Sequence, residues 1–289
     1  MFCDIDRATH NLDPASVQQM ITPRTTGIIG VHVWGRPCDV EALSDLAERH
    51  KLKLLLDAAH AFGCSYRNRM VGNFGEAEVF SFHATKFFNT FEGGAIATNN
   101  DELALKIRLM KNFGFDGYDN VIYIGTNGKM TEISAAMGLT ELESMDDFIA
   151  TNRNNYHSYR EGLEGIPGVT LARYNESEMC NFHYVIVEID EAAGLGRDQL
   201  IAVLHAENVL ARRYFFPGCH RMEPYRSFFP HARLLLPETE RLASRVFSLP
   251  NGTSVGPAEI RAICGLIRFV LGHGPEIQRE LLTRHPPKS

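Results

Sequence analysis

The feature that most constrains this chain is a succession of short, continuously apolar segments separated by a helical one. Residues 27–33, 54–56 and 77–82 are mostly apolar. Between the first two, residues 40–50 set Val40, Leu43, Leu46 and Ala47 on one helical face, with Asp39 placed to cap the start. Strands that are apolar throughout, with helices between them, predict a mainly parallel sheet covered on both faces, so the chain reads as α/β. Ligands in such sheets collect beyond the carboxyl ends of the strands. Asp57 stands at such an end and is followed by Ala58, Ala59 and His60.

The stretch FSFHATKFFNTFEGGA, residues 80–95, comes next. A strand runs into Ser81, Lys86 follows five positions later, and Glu92, Gly93 and Gly94 turn the chain into a further apolar run at residues 95–97. Lys86 is thus expected on a loop between two core strands, where a reactive amine can be aimed. A carboxylate at one strand end and a lysine just past another suit pyridoxal phosphate chemistry. The lysine forms a Schiff base, the aspartate keeps the pyridine nitrogen protonated so that the ring accepts electrons, and Ser81 offers its hydroxyl to the phosphate. Taken singly, a lysine after a strand is more often a solvated charge and an aspartate at a strand end more often a cap. The pattern alone leaves both readings open.

Composition narrows the alternatives. The 289 residues are 44% hydrophobic and 22% charged, ordinary for a globular protein, and 29 basic against 35 acidic residues give a net charge of −6. No basic block points to nucleic acid, and no apolar run is long enough for a membrane span. The N-terminus lacks the pattern of a signal peptide. Six scattered cysteines without a CxxC pair argue against a zinc site and a disulfide framework, and for a reduced, cytoplasmic protein with no metal.

Along the rest of the chain, residues 2–6 read as a strand and Asp13-Pro14 as a helix start. Residues 100–110 read as a helix and 112–128 as an irregular Gly- and Asn-rich loop. A long helix is expected over 146–164, ended by Gly165, Pro167 and Gly168. Strands are expected at 169–172, 184–189 and 209–215, helices at 197–207, 238–245 and 257–271, and a frayed polar tail at 276–289. The change of texture predicts two domains, residues 1–145 and a smaller α+β domain at 146–289.

The motifs DAAHA from Asp57, SFHATK from Ser81, EGGA from Glu92 and GTNGKMTE from Gly125 together resemble the DegT/DnrJ/StrS family of sugar aminotransferases. FHATK, GTNGKM and PGCHRMEPY from Pro217 look most like its dTDP-4-keto-6-deoxyglucose 4-aminotransferases, and the resemblance runs over residues 2–269. It implies a fold type I, aspartate aminotransferase-like transferase, with residues 1–145 as part of the cofactor-binding large domain. Lys86 is then the Schiff-base lysine and proton carrier, Asp57 the pyridinium partner, His60 the group beside the ring and Ser81 the phosphate ligand. Asn127 reaches the cofactor phosphate of a neighbouring subunit, which implies a homodimer with shared active sites. Lys129 stands where much of the family has Arg. Lys129, Arg212, Arg213 and His220 are the candidate contacts to a sugar nucleotide, which accepts its amine from an amino acid such as glutamate.

The departure is at the front. Family members carry a longer segment before the strand matched by residues 2–6, holding a phosphate cup at a helix N-terminus and an aromatic that stacks on the ring. Neither is found here, and no GxGxxG or P-loop replaces them. An N-terminally truncated chain is therefore expected, with weak cofactor binding and reduced stability. The competing reading is a catalytically silent homologue that serves only in dimerisation or sugar-nucleotide binding. A third, dehydration at the sugar, is opposed by Lys86, since relatives that dehydrate carry His there.

Overall fold

The structure, a computed structural model, describes residues 1–284 and divides into two compact units. One comprises Val17–Asp147 with Asn175–Asn181, and the other Met1–Ser16, Phe148–Tyr174 and the chain from Phe182 onward. A short helix, α1 (Pro14–Met20), spans the first junction.

The first unit contains β1 (Gly27–Val31), α2 (Val40–His50), β2 (Lys53–Asp57), the hairpin β3 (Ser65–Tyr66) and β4 (Arg69–Met70), β5 (Ala77–Ser81), β6 (Gly94–Ala97), α3 (Asp101–Met110) and α4 (Glu132–Glu143). The sheet order is β1-β2-β5-β6, with β1, β2 and β5 parallel and β6 antiparallel to β5. The expected α/β class with a mainly parallel sheet is therefore present. The Asp39 carboxylate accepts from the Ala42 N–H to cap α2, which buries Val40, Leu43, Leu46 and Ala47. Gly30 lets α2 approach the sheet. A Cβ there would lie 2.9 Å from Leu56 and 3.0 Å from Leu43.

Burial on both faces is not what this sheet shows. Its strands alternate: Ile28, Leu54, Leu56 and Phe80 are buried, while Ile29, Leu55, Val79 and Ile96 are exposed. The reason is local. α2 and the loops after β2 and β5 fill one face, whereas α3 buries none of its residues and α4 only Gly138, so neither shields the other face. Asp57 lies two residues after Leu55, and Ser81 two after Val79, so both share the open face at the carboxyl ends of their strands.

The second unit contains α5 (Met145–Leu163), β7 (Val169–Leu171), β8 (Val185–Ile189), α6 (Arg197–Ala206), α7 (Tyr225–Phe228), α8 (Pro237–Arg245), β9 (Val246–Leu249), α9 (Pro257–Gly272) and α10 (Gly274–Arg284). β7, β8 and β9 form an antiparallel sheet whose Val185, Val187 and Phe247 are fully buried. Tyr159, also fully buried, donates its hydroxyl to the Pro250 carbonyl at 2.9 Å.

Three expected segments differ. Residues 2–6 form no strand, because Ile5 finds only a single bridge to Leu12. Asp4 instead accepts from the amides of Glu238 and Thr239 and from the Thr239 hydroxyl, capping α8 from a distant part of the chain. Residues 209–215 bridge the sheet only at Arg212–Ser248, since the Ala211, Tyr214 and Phe216 amides turn back onto nearby carbonyls. The polar tail is helical through Arg284, as α10; residues 285–289 lie outside the described part.

Among the described residues no helix is long and apolar enough to cross a membrane, no group of acidic, His and Cys side chains could hold a metal ion, and no disulfide forms.

Candidate active site

Asp57 ends β2, level with Val31 of β1 and Val79 of β5. Its carboxylate accepts from the Ala59 N–H at 2.9 Å, which orients the side chain within its own turn. The loop then dives inward: Ala58, Ala61 and Cys64 are fully buried, and Phe62 packs beside them. His60 remains partly exposed at the surface of this loop.

Lys86 lies on the loop of residues 82–93, between β5 and β6. The loop is closed by the Phe82 N–H donating to the Gly93 carbonyl and the Thr90 N–H donating to the Phe82 carbonyl, both at 2.9 Å. The Lys86 N–H donates to the His83 carbonyl at 2.9 Å, and the Thr85 N–H donates to His83 Nδ1 at 3.2 Å. Gly94 permits the sharp return to β6, because a Cβ there would stand 2.5 Å from the Phe80 carbonyl oxygen.

The two loops share one apolar core. Phe62, from the Asp57 loop, meets Phe80, Phe82 and Phe88 at centroid distances of 5.7, 5.3 and 4.5 Å. This cluster fixes the carboxylate-bearing loop against the amine-bearing one. The electrostatics agree: burial pushes the Lys86 ammonium below the ordinary lysine range, and the nearby Asp57 carboxylate pulls it partly back up. Ser81 ends β5, and its hydroxyl accepts from the His83 N–H at a long 3.4 Å. Asp57, His60, Ser81 and Lys86 are thus carried by adjoining strand ends and loops of one unit.

The other candidates stand elsewhere. Asn127 and Lys129 are on the exposed segment after α3, where Asn127 bridges Asn112 and the Lys129 ammonium meets Asn112 Oδ1 at 3.2 Å and the Phe113 ring at 4.4 Å. Arg212, Arg213 and His220 belong to the second unit. The two arginines line a cleft of about 410 Å³ with Ile201, His205, Phe215 and Phe216; Arg212 lies over Tyr214 and Arg213 over Phe216. His220 is buried, its Nε2 2.6 Å from Glu240, whose carboxylate also pairs with Arg221.

Sequence reading missed three supporting contacts. His32 and Glu78, both fully buried, meet at 3.1 Å. The Cys38 N–H donates to His32 Nδ1, so His32 donates from Nε2 to Glu78, whose other oxygen accepts from the Gly72 and Phe74 amides. Asn181 reaches back across 121 positions to donate to the His60 carbonyl at 2.8 Å. The Trp34 N–H donates to His60 Nδ1 at 3.2 Å. Only the glutamate within an otherwise apolar strand signalled any of these in advance.

Comparison with known proteins places the chain among aminotransferases. The chain is 38% identical over 270 residues to a dTDP-4-amino-4,6-dideoxy-D-glucose transaminase of Shigella dysenteriae, covering 93% of this chain and 73% of that protein. It is 33% identical to the Escherichia coli transaminase of the same name, covering 92% and 72%. Among solved structures, DesI, determined in the presence of its TDP-sugar product, superposes with a TM-score of 0.92 at 50% identity, covering 99% of this chain and 72% of that one. The model of the DegT/DnrJ/EryC1/StrS aminotransferase family matches residues 1–268, and the chain belongs to that family of enzymes.

Proposed function

We propose that this chain is a pyridoxal phosphate-dependent aminotransferase that converts a keto sugar nucleotide of the dTDP-4-keto-6-deoxyglucose type to its amino counterpart, with an amino acid such as glutamate as donor. The observation that carries the reading is the placement of the half-buried Lys86 and the Asp57 carboxylate on neighbouring segments of one unit. They stand on two loops locked together by the Phe62 cluster, with Asp57 and Ser81 on the same open face of the sheet.

These residues fit pyridoxal phosphate by donor set: a carboxylate for a protonated ring nitrogen, an amine for the carbonyl carbon, and a hydroxyl for the phosphate. When bound, the cofactor supplies the carbon that amines attach to and a ring that draws electrons from the carbon losing its proton. Asp57, its carboxylate oriented by the Ala59 amide, would hold a proton on the ring nitrogen. Lys86, with its ammonium disfavoured by burial, is a free amine at lower pH than an exposed lysine and moves a proton to and from the substrate carbon. Ser81 would donate its hydroxyl to the phosphate, and His60 would stand beside the ring. Val17–Asp147 with Asn175–Asn181 is this chain's part of the cofactor-binding domain, and the remaining residues form the other unit.

The finer assignments belong to this proposal too. Asn127 serves the cofactor of a second copy in a homodimer, Lys129, Arg212 and Arg213 are contacts to the sugar nucleotide, and the protein works in the cytoplasm; buried His220, held by Glu240, is not such a contact. The catalytically silent alternative is not favoured, because relatives covering more than nine-tenths of the chain are transaminases.

The reading is tested by incubating the chain with pyridoxal phosphate, glutamate and dTDP-4-keto-6-deoxyglucose. The expected result is 2-oxoglutarate and a sugar nucleotide carrying one amino group by mass, lost in Lys86→Ala. Absence of both products from folded, cofactor-loaded protein would overturn it.

A further inference from the structure

His60 is gripped from two sides by groups that are distant in sequence. On one side, Asn181 is fully buried and donates from Nδ2 to the carbonyls of His60 and Phe62 at 2.8 and 3.0 Å. The segment that carries Asn181 is itself tied down. The Ser65 N–H donates to the Met179 carbonyl at 2.9 Å, the Met179 N–H donates to Ser65 Oγ at 2.8 Å, and Glu178 accepts from the Ser65 hydroxyl and the Asn68 amide. On the other side, residues Val33–Gly35 form a tight turn in which buried Trp34 takes a left-handed φ of 64°. That conformation points the Trp34 N–H at His60 Nδ1, 3.2 Å away, and sets the two rings nearly parallel at 10° with centroids 6.2 Å apart. Gly35 lets the turn close: with φ at 75°, a Cβ there would lie 2.8 Å from both Asn181 Oδ1 and the His60 carbonyl oxygen.

A backbone N–H can only donate, so Nδ1 must present its lone pair, and the ring proton of the neutral imidazole then sits on Nε2. We propose that Asn181 and the Trp34 turn are positioning residues that hold His60 as the Nε2–H tautomer, making it a hydrogen-bond donor toward the ring that Asp57 and Lys86 would hold. The opposite tautomer would present a lone pair there in place of a proton. The second half of this inference rests on the cofactor reading above; the tautomer does not.

The test is a long-range proton–nitrogen correlation spectrum of the full chain labelled with ¹⁵N-histidine, with His60 assigned by its loss in His60→Gln. The expected wild-type pattern is one protonated Nε2 and one unprotonated Nδ1. An Nδ1–H pattern, or two averaged nitrogens, would overturn the proposal without any variant. Asn181→Ala and Gly35→Ala are expected to give averaged nitrogens in folded protein; an unchanged tautomer in both would remove the positioning role. Adding pyridoxal phosphate should shift the Nε2–H resonance. An unmoved resonance, while borohydride fixes the cofactor on Lys86, would show that His60 does not face it. Failure to fix any cofactor would strike the functional reading and leave the tautomer standing.

Discussion

In the three-stranded sheet, β8 and β9 are buried at nearly every position. In the four-stranded sheet Ile29 is 65% exposed, Ile96 48%, and Leu55 and Val79 37% each. Both sheets carry apolar residues on both faces, so the difference lies in what the chain lays over them. The smaller sheet receives α5, α6 and α9, whose Tyr156, Leu200 and Ile267 are fully buried. The larger one has α2 and the aromatic loops on one face, and α3 and α4 bring no buried apolar row to the other. Side-chain packing at the smaller sheet is therefore set by a closed core, while the proposed site stands at the rim of an open face.

Substitutions sharpen this contrast. Phe247→Ala, in the closed sheet, should destabilise its unit by about 3–5 kcal/mol in denaturant titration, from lost burial and the cavity left behind. Glu78→Ala should cost about 3 kcal/mol in the first unit, because it strands His32 and two amides in a buried site. A cost as small as that of a surface substitution would mean that the covered face is not a formed core.

Asp4→Asn should cost about 1 kcal/mol as a weakened cap. Burial raises the Asp4 carboxyl, but the hydrogen bonds from Thr239 and from the Glu238, Thr239 and Ile5 amides outweigh it and hold it below the usual carboxylate range. Its folded pKa is thus depressed, so the stabilisation is full above the unfolded carboxylate pKa and fades as pH falls through the folded one. The gap between wild type and Asp4→Asn in thermal melts should close on acidification; a gap that widens would reverse the sign. Asp57→Asn should lower the Lys86 pKa further, since Asp57 now raises it. The pH profile of Lys86 acylation, followed by peptide mass, should move to lower pH. The smallest effect is expected at the open face, where Ile29→Thr should stay within about 0.5 kcal/mol.

What was legible in the sequence follows from the range of the interactions. Asp57 and Lys86 could be placed because each is fixed by the strand directly before it. The α2 face was legible from its own spacing. Phe2 to Asp6 misled because strand-like composition says nothing about whether a partner strand lies beside it, and only Ile5 finds one bridge. The open sheet face misled for the same reason: apolar strands demand cover without saying what provides it. Asn181 and the Trp34 turn were invisible because the atoms they hold lie 121 and 26 positions away. His220, read as a substrate contact, is enclosed by Glu240 and by the edge of Phe2, contacts that no local pattern encodes.

The most direct measurement is borohydride reduction of the full chain with pyridoxal phosphate, followed by peptide mapping beside Lys86→Ala. The account predicts a single phosphopyridoxyl mass on Lys86 in the wild type, and none in the variant. A folded wild-type chain that carries no such mass, or carries it on another lysine, would contradict the assignment of Lys86 and Asp57 as the reacting pair.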